Sequence, residues 1–298
     1  MREAVNQDIK SYQITEEEEL LKYLIKTFPN KKRPILKSVL TGGQIKVNEE
    51  STTQYNHLLK KGDSLSINWS KPAKKVKLTK LNILYEDRDL IVIEKEAGLL
   101  SVASAKEKSN TAVQILKEHI EAKNPQDRVY IVHRIEREMS GILIFAKSKE
   151  VQTTLQEDWA SYIKDRRYIA VAEGRFKDEK GTLKNYLVSN KNNMVFITKN
   201  PEGATSAITH YKVLKQNKVY SLLELTTETG FKNQIRVQLD AIGFPVTGDK
   251  KYGARKNPLN RVALHASLIE MTHPTTGKTL RFELVAPAAF RNLVATNA

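Results

Sequence analysis

His133-Arg134-Ile135-Glu136-Arg137-Glu138-Met139-Ser140-Gly141 stands directly before Ile142-Leu143-Ile144-Phe145-Ala146-Lys147, an apolar stretch of strand length. The run combines charged residues, an acid at 136 and a Ser-Gly turn. A short polar loop feeding a buried strand can hold a reactive carboxylate rigidly against a ligand. The same residues also fit a polar loop that only leads into a core strand, and the run alone leaves both readings open. Other candidate chemistry is weaker. The six histidines show no metal-ligand spacing, so no metal is expected. Gly42-Gly43 has no Walker pattern around it. Asp87 and Asp89 could suggest glycoside chemistry, but they occupy a turn before a strand with no partner acid in view.

Forty-nine basic residues against 34 acidic ones give a net charge of +15. Such an excess suits a polyanionic partner, because each neutralised phosphate releases counterions and adds sequence-independent affinity. Charge does not separate RNA from DNA or from an anionic membrane, and a solvated basic surface without a partner competes with all three. The 298 residues, 40% hydrophobic and 28% charged, suffice for a medium catalytic domain, a small module and a sizeable core. No apolar run approaches the roughly 18 residues needed to span a bilayer, and the N-terminus lacks the apolar core of a secretory signal. The absence of cysteine excludes disulfides, thiol catalysis and thiolate metal sites. A cytoplasmic chain with no membrane partner is expected.

The elements that must position the loop can be read along the chain. Residues 1–14 carry no clear pattern and are expected to form a tail. Leu20, Leu21, Leu24, Ile25 and Phe28, within Glu16–Phe28, mark one face of a short helix. Glu16–Glu19 sit at its N-terminal end, where negative charge complements the dipole. Ile35–Leu40 reads as a second helix closed by Thr41-Gly42-Gly43. Gln44–Asn48 and Ser64–Ile67 alternate like half-buried strands. Lys71–Lys80 holds five lysines in ten residues with a proline and reads as an exposed linker. Beyond it, Thr111–Ile120 and Lys149–Ile163 are the clearest helical candidates. Strands are expected near 83–93, 142–146, 168–173, 220–226 and 279–285, which predicts an α+β domain on a mixed, largely antiparallel sheet. The expected division is a tail (1–14), a small α/β module (15–70), a basic linker (71–80) and the large domain (81–298).

The run at 133–147 resembles the signature of RluA-type pseudouridine synthases: His-Arg-Leu-Asp, two variable residues, Thr-Ser-Gly, then an apolar strand ending Phe-Ala-Lys. Other segments match in the family's order. Leu84–Leu99 is similar to the opening strand and its Lys-Pro-Ala-Gly turn, and Arg166–Gly174 to the segment whose Tyr lies against the target base. Thr229-Gly230-Phe231-Lys232-Asn233-Gln234-Ile235-Arg236-Val237-Gln238 resembles Thr-Gly-Arg-Thr-His-Gln-Leu-Arg-Val-His. Gly243–Asp249 with Tyr252-Gly253, then Leu264-His265-Ala266 and His273-Pro274, continue a match that runs from about Leu81 to Pro287. Residues 15–70 resemble the S-four RNA-binding domain through Gly43-Gln44-Ile45-Lys46-Val47-Asn48 and Lys61-Gly62-Asp63, although its usual Arg-Leu-Asp is absent.

The resemblance implies an RNA pseudouridine synthase acting on uridines of structured RNA, ribosomal RNA ahead of transfer RNA, without cofactor or metal. Glu136 takes the place of the catalytic Asp, the family's nucleophile or base. Arg236 is implied as its counter-ion, through a forked pair, with a buried structural ion pair as the competing reading. Tyr168 is implied to stack under the base. Arg134, His133 and Lys232 are implied to contact RNA, with Lys31, Lys32, Arg33 and Lys37 forming a cationic helix face in the front module. The lysine segment fits either an exposed linker or an RNA-contacting strap. The chain departs from the pattern at Glu136, Met139 (for Thr), Phe231 (for Arg), Asn233 (for His) and Glu96 (for Pro). Glutamate and aspartate have similar intrinsic acidity, about 4.3 against 3.9. The extra methylene instead moves the carboxylate by about 1 Å or more, and an error of that order can cost about a hundredfold in rate. The alternative is therefore a catalytically impaired or inactive relative that acts as an RNA-binding protein. A monomer is the default oligomeric state.

Overall fold

A computed structural model describes residues 9–69, 78–104, 107, 109–122, 124 and 126–295. Residues 1–8 of the expected tail and 71–77 of the expected linker lie outside the described residues. The chain divides into two compact units, Met1–Lys75 and Val76–Ala298.

The first unit runs β1 (Ile9–Gln13), β2 (Glu18–Glu19), α1 (Leu20–Thr27), α2 (Arg33–Thr41), β3 (Ile45–Val47), β4 (Glu50–Ser51), β5 (Leu58–Leu59) and β6 (Ser64–Asn68). Ile9–Gln13 corrects the expected tail: it pairs antiparallel with Ser64–Asn68. Its residues are nearly all exposed, so no inward alternation marked it as a strand. Glu18 and Glu19 pair with Leu59 and Leu58, which delays the first helix to Leu20. Leu20, Leu24, Leu36 and Leu40, each pair four residues apart, pack with Ile45, Leu65 and Ile67 as the core. Lys31, Lys32, Arg33 and Lys37 are all exposed, with the Lys31 ammonium 4.4 Å from the Trp69 ring centroid.

The second unit continues with β7 (Leu81–Glu86), β8 (Leu90–Lys95), α3 (Ala112–Glu121), β9 (Tyr130–Ile131), β10 (Ser140–Ala146), α4 (Lys149–Glu157), α5 (Trp159–Tyr162) and β11 (Ile163–Glu173). It ends with β12 (Lys180–Ser189), β13 (Val195–Thr198), β14 (Thr205–Gln216), β15 (Tyr220–Thr227), α6 (Gln234–Ala241), β16 (Leu264–Thr272), β17 (Thr279–Glu283) and α7 (Ala288–Ala295). Its strands form one sheet in the order β13-β12-β14-β15-β11-β16-β10-β8-β7, with β9 added to β10 and β17 to β16. This is the expected α+β architecture. The single strand expected at 83–93 is two, because the Asp87 carboxylate accepts the backbone N–H groups of Asp89 and Leu90 and turns the chain. The helix expected over Lys149–Ile163 breaks at Asp158, and Ile163 already belongs to β11.

Strand β10 is buried along its whole length. Leu143 and Phe145 face Leu116 and Ile120 of α3, while Ile142, Ile144 and Ala146 face Val151 and Leu155 of α4. Among the described residues, β10 and β16 form the one parallel pair of the sheet, through only Ser140–His265 and Gly141–Ala266. Ala266 also pairs with Tyr168 of β11, so Gly141, Ala266 and Tyr168 lie in one row across three strands. Gly141 has φ 116°, and a Cβ there would lie 2.2 Å from the Ala266 carbonyl oxygen. Only glycine permits that approach. Side chains lock the same row: Arg261 Nη2 donates to Ser140 Oγ at 2.8 Å, and Ser140 Oγ lies 2.7 Å from His265 Nδ1.

Gly141→Ala therefore must push β10 from β16 or strain both strands. The expected cost is at least about 2 kcal/mol, seen as a fall in Tm of roughly 4–8 °C or more. An unchanged melting curve would show that the row tolerates separation.

Candidate active site

A cleft of about 500 Å³ opens beside this row. Its lining includes Arg134, Glu136, Glu138, Arg166, Tyr168, Lys232, Asn233 and Arg236. The structure thus gathers Glu136, Tyr168, Arg236, Arg134 and Lys232 from three separate stretches of chain. Arg134 is exposed and makes no ion pair or hydrogen bond among the described residues, which leaves its cation free for a ligand. The helical cations Lys31, Lys32, Arg33 and Lys37 belong to the other unit.

The carboxylate is held by backbone. Glu136 Oε1 accepts the N–H of Asn233 at 3.0 Å, and among the described residues Oε2 has no hydrogen-bond partner. The forked pair expected between Arg236 and Glu136 is not formed. Arg236 Nε and Nη2 instead donate to Asp249 Oδ2 and Oδ1 at 2.6 and 2.7 Å, with Asp249 almost fully buried. Burial works against the Arg236 charge, but the Asp249 fork outweighs it and drives the guanidinium pKa up, with Glu136 and Glu138 adding attraction. Arg236 therefore acts on Glu136 through space, not through a shared hydrogen bond.

His133 is also corrected. It is not among the lining residues; its Nε2 accepts the Ile144 N–H at 3.1 Å, and its ring packs on Trp159. Burial, reinforced by Arg166, lowers its pKa to about 3, so it serves the fold as a neutral acceptor. Tyr168 is half-buried in the cleft, and burial raises its hydroxyl pKa against the opposing effect of Arg166. Arg166 stands 5.9 Å from the Tyr168 ring centroid and donates to Thr227 Oγ1 and the Thr229 carbonyl, which fixes it beside that ring.

The family model for RNA pseudouridylate synthase matches residues 89–241. An uncharacterized RNA pseudouridine synthase of Bacillus subtilis is 32% identical over 278 residues, covering 92% of this chain and 91% of that protein. The chain belongs to the RNA pseudouridylate synthase family. That makes it an isomerase of the pseudouridine synthase type. Ribosomal large subunit pseudouridine synthase D of Haemophilus influenzae is 29% identical over 288 residues, covering 91% and 88% of the two chains. The fold is shared with human RNA pseudouridylate synthase domain containing 4, at a TM-score of 0.58 and 21% identity over 70% of this chain and 90% of that one.

The departures of this synthase from its family pattern have structural places. Met139 is buried in the core, and Phe231 packs with Leu187, Val195, Val237 and Tyr252 beside the cleft. The Glu96 side chain is exposed, and nothing in the structure explains it. Lys95, Asn233, Asp249 and Arg166 are the site residues to which no role was assigned from sequence. Lys95 had the plainest signal: a lysine closing the apolar run Leu90–Ile93. It is fully buried, and its ammonium donates to the carbonyls of Glu96, Leu99 and Met139 at 2.9, 2.7 and 2.7 Å. It thereby ties the turn after β8 to the loop that carries Glu136. Ser101 Oγ adds a bond to the Ile135 carbonyl, and Gly98 N–H one to that of Arg137.

Burial lowers the Lys95 pKa from 10.5 to about 7, with Arg261 adding to the fall and Glu138 and Glu136 opposing it. The unfolded chain keeps this proton to about 10.5, so unfolding takes up a proton between about 7 and 10.5. Stability from this group therefore rises with pH through that window, and the cost of the buried charge is complete below about 7. Tm should climb between pH 7 and 9, and the Lys95→Met variant should lack this component. The variant should also lose about 1–3 kcal/mol, because buried carbonyls are left without donors. Parallel Tm–pH curves for the two proteins would acquit Lys95.

Proposed function

We propose that this chain converts a uridine of structured ribosomal RNA to pseudouridine, with the Glu136 carboxylate as the nucleophile or base at the ribose. One observation carries the reading: Glu136 Oε1 is fastened by a backbone N–H inside a cleft that also presents Tyr168 and the cations Arg134 and Lys232. The other carboxylate oxygen is left for the substrate. In the reaction the N1–C1′ bond breaks, the base turns and a C5–C1′ bond forms. The C5 proton leaves to solvent and N1 takes up one, so the product is an isomer and no cofactor is consumed. The target must leave its stack first, because the reacting atoms are inaccessible within a helix. Tyr168 supports the extruded base through its ring face, and Arg134 with Lys232 meets the flanking phosphates.

Ribosomal RNA is placed ahead of transfer RNA because relatives carry the name of ribosomal large subunit pseudouridine synthases. We assign the first unit as an S-four-type RNA-binding module, on its two helices, short strands and exposed cations. The working protein is read as a cytoplasmic monomer. A second reading, an RNA-binding relative without activity, is favoured by the engagement of the Arg236 fork with Asp249, which leaves Glu136 no direct cationic partner among the described residues.

Tritium release from large-subunit ribosomal RNA transcribed with 5-tritiated uridine decides between them, with a transfer RNA transcript in parallel. The native chain should release tritium and Glu136→Ala should release none. Glu136→Asp should fall by about a hundredfold, because its carboxylate is drawn about 1 Å from the Asn233 donor. A native chain that binds this RNA tightly yet releases nothing supports the second reading and ends the first.

A further inference from the structure

Asn233 holds an unusual place at the start of α6. It is the residue before the first helical position, yet its φ and ψ are 55° and 16°, left-handed rather than extended. Its side chain makes no cap bond to the helix. Instead Oδ1 accepts from Arg236 Nη1 at 3.1 Å, and Nδ2 donates to the Tyr252 hydroxyl at 3.0 Å. Both partners are themselves fixed: Arg236 by the Asp249 fork, and Tyr252 by the Val195 N–H donated to its oxygen. The residue is 4% exposed. A left-handed residue that gives up its capping bond is held there by something else, and here two clamps hold it. The group they aim is its own N–H, which lies 3.0 Å from Glu136 Oε1.

We propose that Asn233 is the positioning residue for Glu136, and that the two form a matched pair. The proposal rests on reading Glu136 as the working carboxylate. Asparagine is one of the few residues with a side chain that enters the left-handed region readily, and its amide serves both clamps at once. The donor it presents suits a glutamate. An aspartate at 136 ends about 1 Å or more short, and a 3.0 Å bond lengthened by that amount is no longer a hydrogen bond. The acid and its donor therefore belong together in this chain.

The test is a double-mutant cycle on the full chain: native, Asn233→Ala, Glu136→Asp and the double variant. Each is measured by single-turnover tritium release from the 5-tritiated large-subunit ribosomal RNA transcript and by its Kd for that RNA. Asn233→Ala is expected to slow release about 10–100-fold in the native background with Kd unchanged within about twofold, and less than about threefold in the Glu136→Asp background. Where Asn233→Ala does not fold, Asn233→Gly, which takes positive φ freely but drops both clamps, enters the same cycle; a loss at least about fivefold larger with Glu136 than with Asp is the criterion. Equal losses in both backgrounds, or a loss confined to Kd, overturn the proposal and leave the catalytic reading standing. A silent native chain removes both.

Discussion

Contact between two backbones, at Gly141 and Ala266, is the constraint on which the cleft depends. Strands β10 and β16 meet over two residues and then take different partners, β9 on one side and β17 on the other. A sheet joined so briefly holds its two halves together only if the approach is close, and the missing Cβ at 141 permits it. The consequence is functional. Glu136 stands in the loop leading into β10, five residues before Gly141, and Tyr168 lies in the same row one strand beyond Ala266. Acid and ring come from opposite halves of the sheet, and the glycine contact sets the distance between them.

Buried charge then fixes the loop that the sheet only delivers. Lys95 donates to backbone carbonyls of two loops, and Arg236 forks onto Asp249. Charges this deep carry a desolvation cost that geometry must offset, and each loses its compensation when a partner is removed. Neither cation spends its donors on Glu136. Arg236 commits Nε and Nη2 to Asp249 and Nη1 to Asn233, so Glu136 receives a neutral peptide N–H at contact and a positive field at longer range. An acid held this way keeps one oxygen open, which a forked guanidinium would have occupied.

Much of this was legible in the residues. The Ser140-Gly141 step before an apolar run located the fully buried strand β10, and the ordered motifs contain residues that line the cleft. Helix α6 was not legible as a helix: six successive residues from Gln234 to Leu239 are buried, so no apolar stripe repeats at helical spacing. Its glutamines are satisfied inside, Gln238 by Leu183, Asn185 and Ala207, which no local pattern announces. The strand Ile9–Gln13 was hidden for the opposite reason, since Tyr12 alone of its five residues is turned even partly from solvent. Glu136 and Arg236 line one cleft, but their expected fork is not formed because Asp249, thirteen residues beyond Arg236, competes for the same donors. Competition between acids for one arginine is a tertiary fact that spacing does not encode.

The departures from the family pattern bear on whether the pocket has decayed or adjusted. Three of them meet at one turn. Phe231 gives its N–H to Gln234 Oε1 and its ring to the cluster that contains Tyr252; Asn233 reaches the Tyr252 hydroxyl; and Glu136 takes the Asn233 N–H. A site released from selection for geometry accumulates buried polar groups without partners, each costing about 1–3 kcal/mol. Among the described residues such atoms are Thr247 Oγ1, Asn257 Oδ1 and His265 Nε2, and none belongs to this turn. Asn233, Gln234 and Arg236 are paired through their side chains, and Asn233 holds a backbone conformation that most residues avoid. A longer acid with a donor at its new reach, and that donor clamped from two sides, is the arrangement of a pocket that has changed in concert.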